Sequence, residues 1–76
     1  MSYGYSLKLI ESNKGADISS LGVQLGRKCI QHKVPVSKVA RDLGVTRQSV
    51  YNWFCGASAP RPTIVSSIES FLASIQ

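Results

Sequence analysis

The sequence predicts an all-α fold, a small bundle of four to five helices with a short N-terminal arm or strand. Apolar residues recur at helical spacing in several stretches, and glycine and proline separate those stretches. The 76 residues, of which 43% are hydrophobic, suffice for one domain near the lower size limit for a core without disulfides or metals. We therefore divide the chain into an arm over residues 1–15 and a helical domain over residues 16–76.

The arm has more than one possible structure. Tyr3, Tyr5, Leu7 and Leu9 alternate with small or polar residues in the period of a strand. No other segment looks like a pairing partner, so such a strand would have to pair across a dimer. The alternatives are a short helix that ends near Gly15 and a disordered segment. We expect the apolar residues to dock on the domain or on a second copy.

The first core helix begins at a cap formed by Asp17 or Ser19 and runs to His32. Its apolar residues are Leu21, Leu25, Cys29 and Ile30. Gly22 and Gly26 each cost about 1 kcal/mol in a helix relative to alanine. We therefore expect another backbone to approach this helix closely at the two glycines.

The stretch from Val36 to Phe54 predicts two helices joined by a tight turn, after Pro35 has ended the preceding helix. The apolar face of the first of these helices comprises Val39, Ala40 and Leu43. Gly44 stands where a short helix ends and the chain needs a left-handed residue.

The second helix of this pair begins at Thr46, a good N-cap. Val50 and Trp53 lie three residues apart and face inward. The outward-facing polar residues, with free side chains, are Arg47, Gln48, Ser49 and Asn52. This pattern is that of a helix-turn-helix, which makes DNA binding the leading hypothesis.

A closing helix starts with Pro62 in its first turn, after a loop of small residues in which Gly56 suits a C-cap. Its apolar stripe comprises Ile64, Val65, Ile68, Phe71, Leu72 and Ile75. One small core does not need so many large residues. We expect Phe71, Leu72 or Ile75 to remain available for a partner subunit.

The motif resembles the helix-turn-helix of the lambdoid phage repressor and Cro family. The matching residues are Ala40, Gly44, Thr46, Gln48, Ser49, Val50 and Gly56. Arg61 and Pro62 resemble the same family's step into the next helix, so the similarity covers about Leu21 to Phe71. Two features depart from the family. Val36 stands where many members carry a phosphate-contacting glutamine, and the second helix is unusually aromatic.

The net charge of +5 is concentrated on the motif and its approach. Six basic residues and one acidic residue lie between positions 27 and 47, whereas the remaining charges cancel. Such segregation favours a polyanionic partner over a merely solvated basic face.

In this architecture the N-terminal end of the second helix enters the major groove. The residues expected to contact bases are therefore Arg47, Gln48, Ser49 and Asn52, on a recognition helix over residues 47–54. Arginine suits guanine, while glutamine and asparagine suit adenine, so the site should contain guanine beside adenine.

Other polar residues around the motif are placed to hold the DNA backbone and set the register. The expected backbone-contacting residues are Ser37, Lys38, Thr46, Tyr51 and Arg61. The remaining cations of the motif region are expected to supply a positive electrostatic field that attracts DNA, without specific contacts. They are Arg27, Lys28, Lys33 and Arg41.

Other classes of site find no support in the sequence. Without a Ser/His/Asp set, a carboxylate pair on one face or a phosphate loop, we expect no enzyme and no cofactor. Cys29, Cys55 and His32 are too few ligands for zinc, and we expect reduced, packing cysteines. No apolar run of about 18 residues and no signal-peptide pattern occurs. We expect a cytoplasmic protein, in a bacterial host cell if phage-encoded, and no small-molecule effector is evident.

The sequence thus predicts a transcriptional regulator, a repressor, that binds double-stranded DNA sequence-specifically. Because one motif reads only a few base pairs, we expect a homodimer, formed through the arm or the closing helix. The alternative is a protein-binding adaptor on the same scaffold, such as a phage host-takeover or defence-inhibiting protein. The aromatic residues Tyr51 and Phe54 keep that alternative open, whereas the charge distribution favours DNA.

Overall fold

Five α-helices and no strand make up residues 7–75, the part of the chain that the computed structural model describes. The helices are α1 Leu7–Gly15, α2 Leu21–Gln31, α3 Val36–Leu43, α4 Arg47–Cys55 and α5 Pro62–Ser74. The predicted all-α bundle is confirmed. Helices α2 and α4 form its centre, since α2 packs against α1, α4 and α5, and α4 packs against α1, α2 and α3.

The N-terminal segment is helical from Leu7 to Gly15, which confirms the alternative of a short helix ending near Gly15 and excludes the strand for this part of the arm. Leu9 and Asn13, one helical turn apart, are the two buried residues of α1. The alternation around Leu7 and Leu9 was too short to distinguish a strand from a helix. The part of that prediction that concerns Tyr3 and Tyr5 lies outside the described residues.

Hydrogen bonds from two side chains fix α1 to the rest of the bundle. The Asn13 side-chain Nδ2 donates to the backbone oxygens of Val23, at 3.1 Å, and Phe54, at 2.7 Å. The Arg27 guanidinium donates to the backbone oxygens of Asn13, at 3.0 Å, and Lys14, at 3.2 Å. Arg27 was expected only to supply a field. It instead satisfies carbonyl groups at the C-terminal end of α1.

The N-cap of α2 is Ser20, which lies three residues after Asp17 and one residue after Ser19, the two predicted caps. Asp17 holds the preceding turn instead, where its Oδ1 accepts from the Ser19 backbone N–H at 3.0 Å. That hydrogen bond lowers the pKa of the Asp17 carboxyl. The helix ends at Gln31, one residue before the predicted end at His32.

Helices α2 and α4 approach each other closely at the two glycines, as the sequence predicted. A Cβ atom at Gly22 would lie 2.7 Å from the Cβ of Trp53. At Gly26 it would lie 2.6 Å from the Asn13 Nδ2 and 2.7 Å from the Cγ of Phe54. Only glycine therefore allows the two helices to stand at this distance.

Helix α5 closes the core with Ile68, which is fully buried, and Phe71, which is 8% exposed. Phe71 lies one turn beyond Ile68 on the same face. The expectation that Phe71 remains available to a partner subunit is therefore wrong. Leu72 and Ile75 are half-buried and pack against the core. Pro62 opens the helix, as predicted.

Both cysteines carry free thiols, and no disulfide joins them. Cys29 is fully buried, and burial raises the pKa of its thiol to about 12. The thiol therefore stays protonated near neutral pH and contributes packing, which agrees with the prediction for Cys29.

We expect Gly26→Ala to lower the free energy of unfolding by about 1 to 3 kcal/mol, because the added methyl group would displace Asn13 or Phe54. Chemical unfolding followed by Trp53 fluorescence measures the loss. Gly15→Ala is the matched control, since a Cβ there meets no atom within 4 Å. It should leave stability equal or slightly higher. An equal effect of the two variants would contradict the close approach.

Candidate nucleic-acid interface

The turn between α3 and α4 has the geometry that the sequence predicted. Gly44 adopts the left-handed conformation, with φ 68° and ψ 34°. The backbone N–H groups of Gly44 and Val45 donate to the oxygens of Arg41, at 3.3 Å, and Ala40, at 3.0 Å. These two bonds satisfy the last carbonyl groups of α3 and reverse the chain within three residues.

Thr46 starts α4 as its N-cap, which confirms the prediction for this residue. Its Oγ1 accepts from the backbone N–H of Ser49 at 3.1 Å and donates to the Ser49 Oγ at 3.0 Å. On the inner side of the helix Val50 is fully buried and Trp53 is 6% exposed. The orientation of α4 is therefore determined by its cap and by the core together.

The four expected base-contacting residues are not equally free. Arg47 and Gln48 are exposed, whereas Ser49 and Asn52 are half-buried. Ser49 is hydrogen-bonded to Thr46, and the Gln48 Nε2 donates to the Asn52 Oδ1 at 3.1 Å. The expectation that all four side chains are free is thus wrong for three of them. Of these four residues, Arg47 alone has a side chain with no hydrogen-bond or ion-pair partner among residues 7–75.

The first turn of α3 carries two of the expected backbone-contacting residues, Ser37 and Lys38, and both are exposed. The sequence analysis counted Asp42 in the net charge but did not foresee its ion pairs with the cations of α3. Its carboxylate lies 2.9 Å from the Lys38 Nζ and 3.8 Å from the Arg41 Nε. Part of the positive charge on α3 is therefore neutralised within the helix itself.

A groove of about 580 Å³, lined by both polar and apolar residues, lies where α4 and α5 begin. Its lining includes Thr46 and Ser49 from the start of α4, and Arg61 and Thr63 from the start of α5. The structure thus brings together Thr46 and Arg61, two expected backbone-contacting residues. The N-terminal ends of both helices add partial positive charge to this groove.

The aromatic residues of α4 belong to the core. Phe54 is fully buried, Trp53 is almost so, and Tyr51 is half-buried and packs against the core cluster. The expected backbone contact from Tyr51 stays a prediction. The aromatic excess of this helix is explained by packing.

Within the described part of the chain, no group of three or more histidine, cysteine or acidic residues is arranged to hold a metal ion. No helix between residues 7 and 75 combines the length and the apolar character needed to cross a bilayer.

The fold and this surface define a class of protein: a small all-helical domain in which a three-residue turn presents the polar N-terminal turn of a core helix. No protein-family model, curated protein or solved structure matches the chain.

Proposed function

We propose that this protein binds double-stranded DNA sequence-specifically and regulates transcription, acting as a repressor of the phage repressor and Cro type. The observation that carries the proposal is the exposed N-terminal turn of α4, held by the Thr46 cap and by the buried residues Val50 and Trp53. A helix held in this way can enter a major groove with its first turn foremost.

The charge distribution supports DNA as the partner. All of the formal net charge of +5 lies between residues 27 and 47, which covers α3, the turn and the start of α4. Lys38, Arg41 and Arg47 are exposed, so they can interact with phosphate groups. The guanidinium of Arg27 donates to backbone oxygens of α1, so this cation is held at the C-terminal end of α1.

Arg47 is the strongest candidate for reading a base. It is exposed on the first turn of α4 and has no side-chain partner within the described residues, so its guanidinium can make a bidentate contact with guanine O6 and N7. Thr46 and Arg61 line the groove beside that turn, where a backbone phosphate would meet two helix N-termini.

The adaptor alternative loses the feature that suggested it. The aromatic residues Tyr51 and Phe54 kept this alternative open, but Phe54 is fully buried and Tyr51 is half-buried and packs against the core. The residues that α4 exposes at its start are polar or charged.

Repression requires only that the bound domain occupy its site, whereas activation needs an additional contact to the transcription machinery.

Arg47→Ala should reduce the preference for the specific site, by about 1 to 3 kcal/mol at the guanine position, with a smaller effect on random DNA. Lys38→Ala should weaken binding to all duplexes alike and reduce the slope of log affinity against log salt by about 1. Selection of bound duplexes from a random pool, followed by titrations at several salt concentrations, measures both effects.

Two outcomes of this experiment would count against the proposal. If no duplex is enriched in the selection, binding is not sequence-specific. If affinity does not depend on salt, the partner is not DNA. If Arg47→Ala weakens specific and random duplexes equally, DNA binding stands but Arg47 does not read a base.

Asp42→Asn should raise affinity for every duplex about two- to fivefold, since an exposed ion pair of modest strength competes with phosphate for Lys38 and Arg41. Glu69→Gln, which removes one negative charge from an exposed position on α5, is the matched control. Filter-binding or fluorescence titration compares them. An equal gain from both variants would show that only the net charge matters.

We further propose that the protein binds as a homodimer, because one recognition helix reads only a few base pairs. Sedimentation of the protein with an inverted-repeat duplex should show two protomers per duplex. Leu7→Ser, at an exposed site on α1, and Val65→Ser, at a half-exposed site on α5, test which end forms the contact. One protomer per duplex, with the free protein monomeric, would exclude the dimer.

A further inference from the structure

Two side chains expected to read bases are bonded to each other on the exposed side of α4. The Gln48 Nε2 donates to the Asn52 Oδ1 at 3.1 Å, across one helical turn. The two residues also differ in position. Gln48 is exposed on the first turn of α4, whereas Asn52 lies one turn further from the N-terminus and is half-buried.

The remaining hydrogen-bonding capacity of the two amides is unequal. Gln48 gives one N–H to Asn52 and keeps its Oε1 and a second N–H. Those two groups are the acceptor and donor that a bidentate contact with adenine N6 and N7 requires. The Asn52 Oδ1 is turned towards Gln48, so Asn52 does not present the same pair of groups towards a base.

The hydrogen bond also restricts the motion of Gln48. A free glutamine side chain on a surface loses several rotatable bonds when it is held against a base, and this loss opposes binding. A side chain already held by a neighbour loses less of this freedom. Asn52 therefore lowers the entropy that Gln48 loses in making a base contact.

We propose that Asn52 is a positioning residue for Gln48, and that the two amides read one adenine as a unit through Gln48. This assignment rests on the proposed function. Gln48 is then the base-contacting residue and Asn52 holds it in position, so the two do not read separate bases. The recognition helix therefore specifies one base pair fewer than its number of polar residues suggests.

The test compares Gln48→Ala, Asn52→Ala and the double variant, all in the full chain, on the selected duplex and on duplexes with each base pair changed. Asn52→Ala should reduce discrimination about three- to tenfold at the base pair that Gln48→Ala affects. The double variant should be no worse than Gln48→Ala alone, because the two residues act as a unit. Arg47→Ala serves as the control, since it should affect another base pair and add to Asn52→Ala.

Asn52→Asp separates positioning from direct contact. A carboxylate only accepts, so it keeps the hydrogen bond from the Gln48 Nε2. This variant should retain discrimination at the shared base pair while its added negative charge weakens binding to all duplexes. Loss of that discrimination in Asn52→Asp, to the level of Asn52→Ala, would overturn the positioning role.

The side-chain amide resonances of Gln48 give a readout without DNA. Asn52→Ala should shift them and Asn52→Asp should keep one N–H hydrogen-bonded. Unchanged resonances in Asn52→Ala would overturn the inference. So would a loss of discrimination in Asn52→Ala at a different base pair, if that loss added to the effect of Gln48→Ala. A wild-type protein that binds all duplexes equally would overturn the proposed function itself, and this inference with it.

Discussion

The close approach of α2 and α4 is the constraint on which the rest of the bundle depends. Gly22 and Gly26 bring the backbone of α2 against Trp53 and Phe54, at distances that any Cβ atom would prevent. Because α4 carries the proposed DNA-reading surface, the packing that stabilises the core also fixes the height and rotation of that surface. The cost of two glycines in a helix, about 1 kcal/mol each, is offset by this contact.

Both ends of α4 are held by side chains from outside its helical residues. At the N-terminus Thr46 accepts from the Ser49 N–H. At the C-terminal end the Asn13 amide donates to the Phe54 carbonyl, and Asn13 belongs to α1. The first helix is therefore part of the mechanism that fixes α4. Replacing Asn13 with a residue that lacks the amide would remove both of these buried hydrogen bonds.

The parts of this structure that could be predicted are those that local sequence determines. Gly44, Thr46, Val50 and Trp53 lie within ten residues, and each has a distinct requirement of conformation, cap or burial that its residue type reveals. Asn13 could not be found in this way, since its partner Phe54 is 41 residues away and a lone asparagine in a polar helix carries no signal. The polar residue types at the start of α4 could be read from the sequence, but their hydrogen-bond partners could not.

The two proposed kinds of DNA contact differ in how the free protein prepares them. Lys38, which we propose as a phosphate ligand, is already paired with a carboxylate. A phosphate contact there would exchange one anion for another and carry little sequence information. Arg47 has no such partner among the described residues, so a guanine contact replaces only water. In the proposed complex α4 would therefore supply most of the discrimination between duplexes, because an unpaired donor that faces the wrong base loses hydrogen bonds that no neighbour restores. The cations of α3 would supply most of the affinity, because every duplex offers the same phosphates.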